Sequence, residues 1–165
     1  MRTTLARYLE YMTDGFYNEL VNLQEFEGLS DEEIDAIYAL GYNLFMYGKY
    51  KSARDIFTGL TSHSPNTGYF WRALGAVNQQ LKDYPKAIAA YDMAIAKDSE
   101  DVVSFVYRAE SQILSGNVAP ALRDLEQALK IGADSPEFGA WVERSKILLR
   151  AHPSQVAARN DLLAG

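Results

Sequence analysis

Apolar residues recur every three or four positions along most of the chain, which is the spacing of helices that bury one face. In the stretch "LSDEEIDAIYALGYNLF" the recurring positions are held by Ile34, Ile37, Leu40, Gly41 and Leu44. A second helix is predicted over about 50–62, because Gly48 and Lys49 interrupt the first pattern and Pro65 stops the next. The pattern therefore predicts a pair of helices joined by a short turn.

Polar residues mark the predicted helix starts. Ser30 is followed three residues later by Glu33, which is the spacing of a capping box, and the first turn is acidic, as the helix dipole favours. Asp83 and Pro85 begin another helix, with the proline in the first turn where it costs no hydrogen bond. These signals support the helix boundaries that the apolar stripes indicate.

The same arrangement returns every 34 residues, which divides the chain into units 34–67, 68–101 and 102–135. Small residues recur at two positions of the unit, and large residues recur at a third. The small sets are Gly41, Gly75, Ala109 and Ala53, Ala87, Ala121; the large set is Phe57, Tyr91, Leu125. Alternating small and large side chains allow paired helices to approach closely and interdigitate.

These residues resemble the tetratricopeptide repeat, whose pattern combines Leu-Gly, two alanines, an aromatic residue and a late proline. The second and third copies depart from it with Asn78 and Arg108, where the pattern has a large apolar residue and a leucine, and with Ser99 in place of the proline. The resemblance implies an all-α fold, with three repeats in a right-handed superhelix whose concave face is lined by the first helix of each pair.

The ends of the chain are not repeats. Residues 1–29 predict a helical extension, and residues 136–165 predict a capping helix and a tail. Ser135 is expected to cap that helix, with Pro136 at its first position. The residues expected to cover the last exposed repeat face are Trp141, Ile147 and Leu148. The whole chain, 1–165, is expected to form a single all-α domain.

Composition narrows the classes of partner. The net charge is -6 with no basic stripe, so binding of nucleic acid through phosphates is not expected. No apolar run reaches the roughly 18 residues of a membrane span, so no direct membrane insertion is expected. The chain has no cysteine, and its first residues lack the apolar segment of a secretory signal. A cytoplasmic protein is expected.

The sequence shows no catalytic or metal-binding arrangement, and no cofactor is expected. His63 and His152 are far apart in sequence and lie at predicted helix ends, beside the negative end of the dipole. The stretch "GYNLFMYGKY" has the wrong glycine spacing for a phosphate loop and does not follow a strand. The remaining class of function is binding.

The resemblance to the repeat implies which residues line the groove. The candidate peptide-binding residues are Tyr38, Tyr42, Phe45, Met46, Tyr69, Arg72, Ala76, Val103, Val106 and Ile113. An apolar, ring-rich track of this kind suits an extended peptide with apolar anchors. Simple packing of these rings stays open as an alternative, as does coverage of the groove by the N-terminal helices. Tetratricopeptide co-chaperones that bind a C-terminal carboxylate use Lys and Asn on the groove face. This chain has Tyr38 and Tyr42 at the corresponding positions of the first repeat, so binding of a terminal carboxylate is not expected.

The layout is also similar to the class II chaperones of bacterial type III secretion, the LcrH/SycD-type translocator chaperones. The similarity is carried by stretches such as "FWRALGAVNQQLKDYPKAIAAYDMAI" and "RAESQILSGNVAPALRDLEQAL". It implies a chaperone that binds extended N-terminal segments of hydrophobic translocator proteins and prevents their aggregation and early association. It also implies a possible homodimer through Leu20, Leu23 and Phe26, although those residues could instead pack on the first repeat. The alternative is a general repeat scaffold in another bacterial assembly.

Overall fold

The computed structural model describes residues 29–164, and the predicted N-terminal helices lie outside the described residues. The helices are α1 (Asp31–Met46), α2 (Tyr50–His63), α3 (Gly68–Gln80), α4 (Tyr84–Lys97), α5 (Val102–Leu114), α6 (Val118–Gly132), α7 (Gly139–Arg150) and α8 (Pro153–Ala164), with a 3-10 turn at Pro136–Phe138. Helices α1 to α6 form three consecutive hairpins that stack side by side, as the three predicted repeats require.

The predicted capping box at the start of α1 is confirmed. The backbone N–H of Glu33 donates to the Ser30 hydroxyl, and the backbone N–H of Ser30 donates to the Glu33 carboxylate over 3.0 Å. Asp83 caps α4 in the same sense, since its carboxylate accepts the backbone N–H of Lys86. Each bond satisfies a donor that the first turn of a helix leaves without a partner.

The turns inside the three hairpins share one backbone conformation. Gly48, Lys82 and Gly116 occupy the same position of the unit, and all three have positive φ, at 73°, 61° and 85°. The residue after each donates its N–H to a carbonyl five residues back in the preceding helix, for example Lys49 to Leu44. A left-handed residue with this bond ends a helix and reverses the chain. Lys82 therefore occupies a conformation that favours glycine.

The small residues permit close helix contact, as predicted. A Cβ on Gly41 would lie 2.8 Å from Ile56 Cγ2, and a Cβ on Gly75 would lie 2.5 Å from the Tyr91 ring. The matching alanines and large residues are fully buried within the hairpins: Ala53, Ala87, Ala109, Ala121, Phe57, Tyr91 and Leu125. Among the described residues the hydrophobic core forms three clusters, which lie between the packed helices.

The C-terminal segment differs from the prediction in its first residues. Ser135 makes no capping bond through its side chain, and Pro136 begins a 3-10 turn rather than α7. Trp141 and Leu148 pack against core clusters of the third hairpin, as expected of a cap. Ile147 remains 57% exposed, so its predicted place in the cap is wrong. It lies on the outer side of α7, because a helix buries only one stripe.

Candidate binding groove

An exposed aromatic stripe runs along α1, the first helix of the first hairpin. Tyr38, Tyr42, Phe45 and Met46 follow one another at spacings of four, three and one, which places them on one side of the helix. The exposed fraction varies along the stripe: Tyr38 and Phe45 are half-buried, whereas Tyr42 is 51% exposed and Met46 is 63% exposed. Tyr42 and Met46 are therefore not buried in the core.

Tyr38 lies at the base of the stripe in a cluster of rings. Its ring centroid is 5.7 Å from Phe57, 5.1 Å from Tyr69 and 5.7 Å from Phe70, with an edge-to-face arrangement against Tyr69. Such pairs are favourable beyond the area they bury. Tyr38 therefore joins the first hairpin to the second.

Phe45 is shared between core and groove. Its ring packs edge-on against Tyr50 at 5.6 Å, and it contacts the cluster around Ile37 and Phe57. Part of the Phe45 ring therefore packs on the core and part is exposed, and its contact with a peptide stays a prediction.

The second hairpin supplies Tyr69, Arg72 and Ala76 from α3. Tyr69 is 39% exposed beside Tyr38, and Ala76 is half-buried. Arg72 Nη1 donates to Asp101 Oδ1 over 2.9 Å. Asp101 is buried and also accepts the N–H and hydroxyl of Ser104, so the pair ties α3 to the start of α5. Arg72 is thus held in place at the middle of the groove.

The third hairpin corrects one candidate residue. Val106 has no exposed surface and belongs to the cluster of Val102 and Phe105, against which Phe138 and Trp141 of the C-terminal segment pack. Val106 occupies the same repeat position as Tyr38 and Arg72. That position is partly exposed in the first two copies and belongs to the core in the third. Val103 stays half-buried. Ile113 is half-buried and packs on the cluster around Leu125.

Tyr107 of α5 was missed in the sequence because it does not fall on a groove position of the repeat pattern. It is half-buried, with ring centroids 6.0 Å from Tyr91 and 5.1 Å from Trp141. Tyr107 lies four residues after Val103 and three before Glu110, so it is on the same side of α5 as both. This spacing is the sequence signal that could have identified it.

A polar network lies near Tyr107, at the end of the groove that faces α7. The Gln79 amide donates to Glu110 over 3.3 Å, and Gln79 accepts the Tyr91 hydroxyl over 2.9 Å. The Arg144 guanidinium of α7 donates to the other oxygen of Glu110. Because Glu110 is mostly buried, both of its oxygens need these partners. The groove is therefore aromatic toward α1 and polar toward α7.

Burial raises the pKa of three groove phenols. Desolvation is the main cause at Tyr38, Tyr69 and Tyr107, and Asp35 and Asp31 add to it at Tyr69. The phenols therefore stay protonated at neutral pH and can donate hydrogen bonds to backbone carbonyls of a bound segment. No group of three or more His, Cys, Asp or Glu side chains that could hold a metal occurs within residues 29–164.

Comparison with known proteins gives the family context. The tetratricopeptide repeat family model matches residues 34–60. The low calcium response locus protein H of Yersinia pseudotuberculosis is 28% identical over 123 residues, which cover 74% of this chain and 73% of that protein. The chain has the tetratricopeptide repeat fold and resembles the class II translocator chaperones of type III secretion.

Solved structures agree with this tetratricopeptide assignment. SycD of Yersinia enterocolitica, in complex with a peptide of the translocator YopD, has a TM-score of 0.73 at 27% identity and covers 76% of this chain and 95% of SycD. PcrH in complex with the chaperone-binding region of PopD has a TM-score of 0.75 at 27% identity and covers 82% of this chain and 98% of PcrH.

Two further expectations from the sequence concern the dimer interface and membrane insertion. The proposed dimer residues Leu20, Leu23 and Phe26 lie outside them. Among the helices of residues 29–164, none has both the length and the apolar character to cross a membrane.

Proposed function

We propose that this protein is a type III secretion chaperone that binds hydrophobic translocator proteins in the bacterial cytoplasm. It would hold them apart from one another before secretion and so prevent aggregation and premature association. The similarity to proteins crystallised with translocator segments supports the proposal. Its activity is binding rather than catalysis, and the whole chain acts as one domain.

The observation that carries the proposal is the exposed stripe on α1. Tyr42 and Met46 are more than half exposed on the same side of the helix as Tyr38, and Tyr69 continues the stripe onto α3. Large apolar side chains grouped on a concave surface are typical of binding sites, whereas scattered ones are ordinary. The rings supply large contact areas at low cost in side-chain entropy.

An extended client segment would lie along the groove across α1, α3 and α5. Its apolar side chains would pack between Tyr38, Tyr42 and Tyr69, while the phenols bind its carbonyls. The residues proposed to contact it are Tyr38, Tyr42, Phe45, Met46, Tyr69, Arg72, Ala76, Val103 and Ile113. Tyr107 is added from its position in the structure.

Co-expression with a translocator tests the function. YopD is produced in bacteria alone, with this chain, and with its Tyr42→Glu variant, and soluble YopD is quantified. We expect the wild-type chain to increase soluble YopD at least about tenfold, because apolar surface of the client would be covered in the complex. The variant should reduce that gain to near the level of YopD alone. Equal solubility with and without the chain would contradict the proposed function.

A further inference from the structure

The surface of the groove continues onto α7, the helix after the third hairpin. Helix α7 packs against α6 and lies beside α5, in the same way that α5 packs against α4 and lies beside α3. The contact with α6 is close, since a Cβ on Gly132 would lie 2.7 Å from Val142 Cγ2. Arg144 follows Glu110 by 34 residues, the length of one repeat, and donates to its carboxylate. By position, α7 is therefore the first helix of a fourth unit, and one side of it borders the groove.

Two aliphatic side chains lie next to the polar network that crosses this part of the groove. The network joins three neighbouring first helices, since Glu110 of α5 accepts from Gln79 of α3 and from Arg144 of α7. Leu114 lies four residues after Glu110, and Ile147 lies three residues after Arg144. Residues at these spacings share one side of a helix, so Leu114 and Ile147 lie one turn beyond the network on the side that borders the groove.

The exposure of these two side chains sets them apart from ordinary surface residues. Leu114 and Ile147 are each 57% exposed. Across residues 29–164, seven large hydrophobic side chains are exposed, and five of them lie on the groove side of a first helix: Tyr42, Met46, Tyr69, Leu114 and Ile147. Scattered exposed apolar residues are normal, whereas their concentration along one side of a repeat stack is typical of a binding surface.

The apolar surface has two ends with a polar gap between them. Met46, Gln80 and Leu114 hold the same position of the repeat in α1, α3 and α5, and all three are exposed. The groove rim is therefore apolar on α1, polar on α3, and apolar again on α5 and α7. We call Leu114 and Ile147 the aliphatic subsite. A ligand that fits this rim has apolar side chains toward both ends and polar groups between them.

Helix packing gives the spacing between the two ends. Neighbouring packed helices lie about 8–10 Å apart, so the aliphatic subsite lies roughly 20–25 Å from the stripe on α1. An extended chain advances about 3.3 Å per residue, so about six to eight residues span that distance. Side chains that point to the same side of an extended chain recur at every second residue, which favours even spacings within this range.

We propose that the aliphatic subsite binds a second apolar side chain of the same client segment, about six to eight residues from the one held by Tyr42 and Met46. This inference rests on the proposed function and deepens it, because it defines the client segment as one with two apolar anchors. The occupant is the client because the subsite continues the groove without a break, through hydrogen bonds that join α3, α5 and α7. Gln79 and Gln80 supply amide groups for the polar backbone between the anchors.

The test is a methyl NMR titration of the ¹³C-methyl-labelled full chain with a peptide of the chaperone-binding region of PopD. Methyl resonances of Met46, Leu114 and Ile147 should shift and give one dissociation constant. The methyl of Met93, which is 36% exposed on α4, is the control and should stay in place. Shifts at Met46 with none at Leu114 and Ile147 would overturn the inference and leave the proposed function intact. No shift at any of these methyls would contradict both.

Spin-labelled peptides test whether one segment spans the two ends. A nitroxide is attached to one end of the PopD peptide in one sample and to the other end in a second sample. One label should broaden the methyl resonance of Met46, and the other should broaden that of Ile147. Equal broadening of both methyls by each label would show that the segment does not extend between them, which would overturn the inference.

Variants of the subsite measure its share of the affinity. The double variant Leu114→Ser/Ile147→Ser should bind the PopD peptide about fivefold or more weakly in calorimetry, since it removes an apolar contact. Its melting temperature should stay that of the wild type, because both side chains are exposed. Met93→Ser is the matched control and should bind like the wild type. Wild-type affinity in the double variant, together with weakened binding by Tyr42→Glu, would retain the groove and remove the subsite.

Discussion

At the residue scale, glycine and alanine at fixed positions determine how closely the helices of each pair approach. Gly41 and Gly75 lie against the rings of Phe57 and Tyr91, at distances that leave no room for a methyl group. In the third hairpin Ala109 takes the same position opposite the smaller Leu125. The side chains on the two sides of each contact therefore match in size.

Gly75→Ala should lower the free energy of unfolding by about 1–3 kcal/mol, because the added methyl would meet the buried Tyr91 ring. Urea unfolding followed by circular dichroism measures the change. Gly139→Ala is the control, since no heavy atom lies within 4 Å of its added Cβ. That variant should be as stable as the wild type or slightly more stable. Equal stability of Gly75→Ala and the wild type would contradict the packing described.

Arg108 stands where the repeat pattern has a leucine, and it forms salt bridges to neighbouring helices. Its guanidinium binds both oxygens of Asp124 at 2.7 and 2.6 Å and also binds Asp92 at 2.7 Å, joining α5 to α6 and α4. Arg108→Ala should cost about 3 kcal/mol, because Asp124 is left buried without a partner. The double variant Arg108→Leu/Asp124→Leu should recover most of that loss in the same unfolding measurement. A double variant less stable than Arg108→Ala would show that the charge pair is not the cause.

At the element scale, the sequence predicts the helices well and their accessory contacts less well. The helix boundaries follow from local signals such as Ser30, Gly48 and Pro85, whose effect depends on the nearest few residues. The burial of Val106 and the position of Tyr107 depend on Phe138 and Trp141, which are distant in sequence. A periodic pattern assigns every copy the same role, so it cannot anticipate a neighbour that only the last copy has.

Lys82→Gly should raise the free energy of unfolding by roughly 0.5–1 kcal/mol. Lysine is strained at φ of 61°, whereas glycine is not, and the gain is reduced by the greater freedom of glycine in the unfolded chain. Thermal and urea unfolding measure the effect. Gly116→Ala is the mirror experiment in the matching turn and should destabilise by about 1 kcal/mol. If both variants changed stability in the same direction, the shared left-handed turn would not be the reason.

At the scale of the whole molecule, stacking three hairpins brings the first helices of the pairs side by side. The Tyr38 and Tyr69 rings contact each other there, and Tyr42 lies on the same side of α1 as Tyr38, so that an aromatic groove forms. The C-terminal segment closes the polar end of the groove through Arg144 and Glu110. A ligand segment would thus meet apolar rings first and a fixed hydrogen-bonding network farther along.

Calorimetric titration with a peptide of the chaperone-binding region of PopD tests directly whether the groove binds a client segment. We expect saturable binding to the wild type and at least about tenfold weaker binding to Tyr42→Glu, since a buried carboxylate would replace an apolar contact. Tyr47→Glu is the matched control, because Tyr47 is 81% exposed, lies just beyond the end of α1 and is not one of the proposed contact residues. Both variants should keep the helical circular dichroism of the wild type. Equal binding by all three proteins, or equal loss in both variants, would contradict the groove.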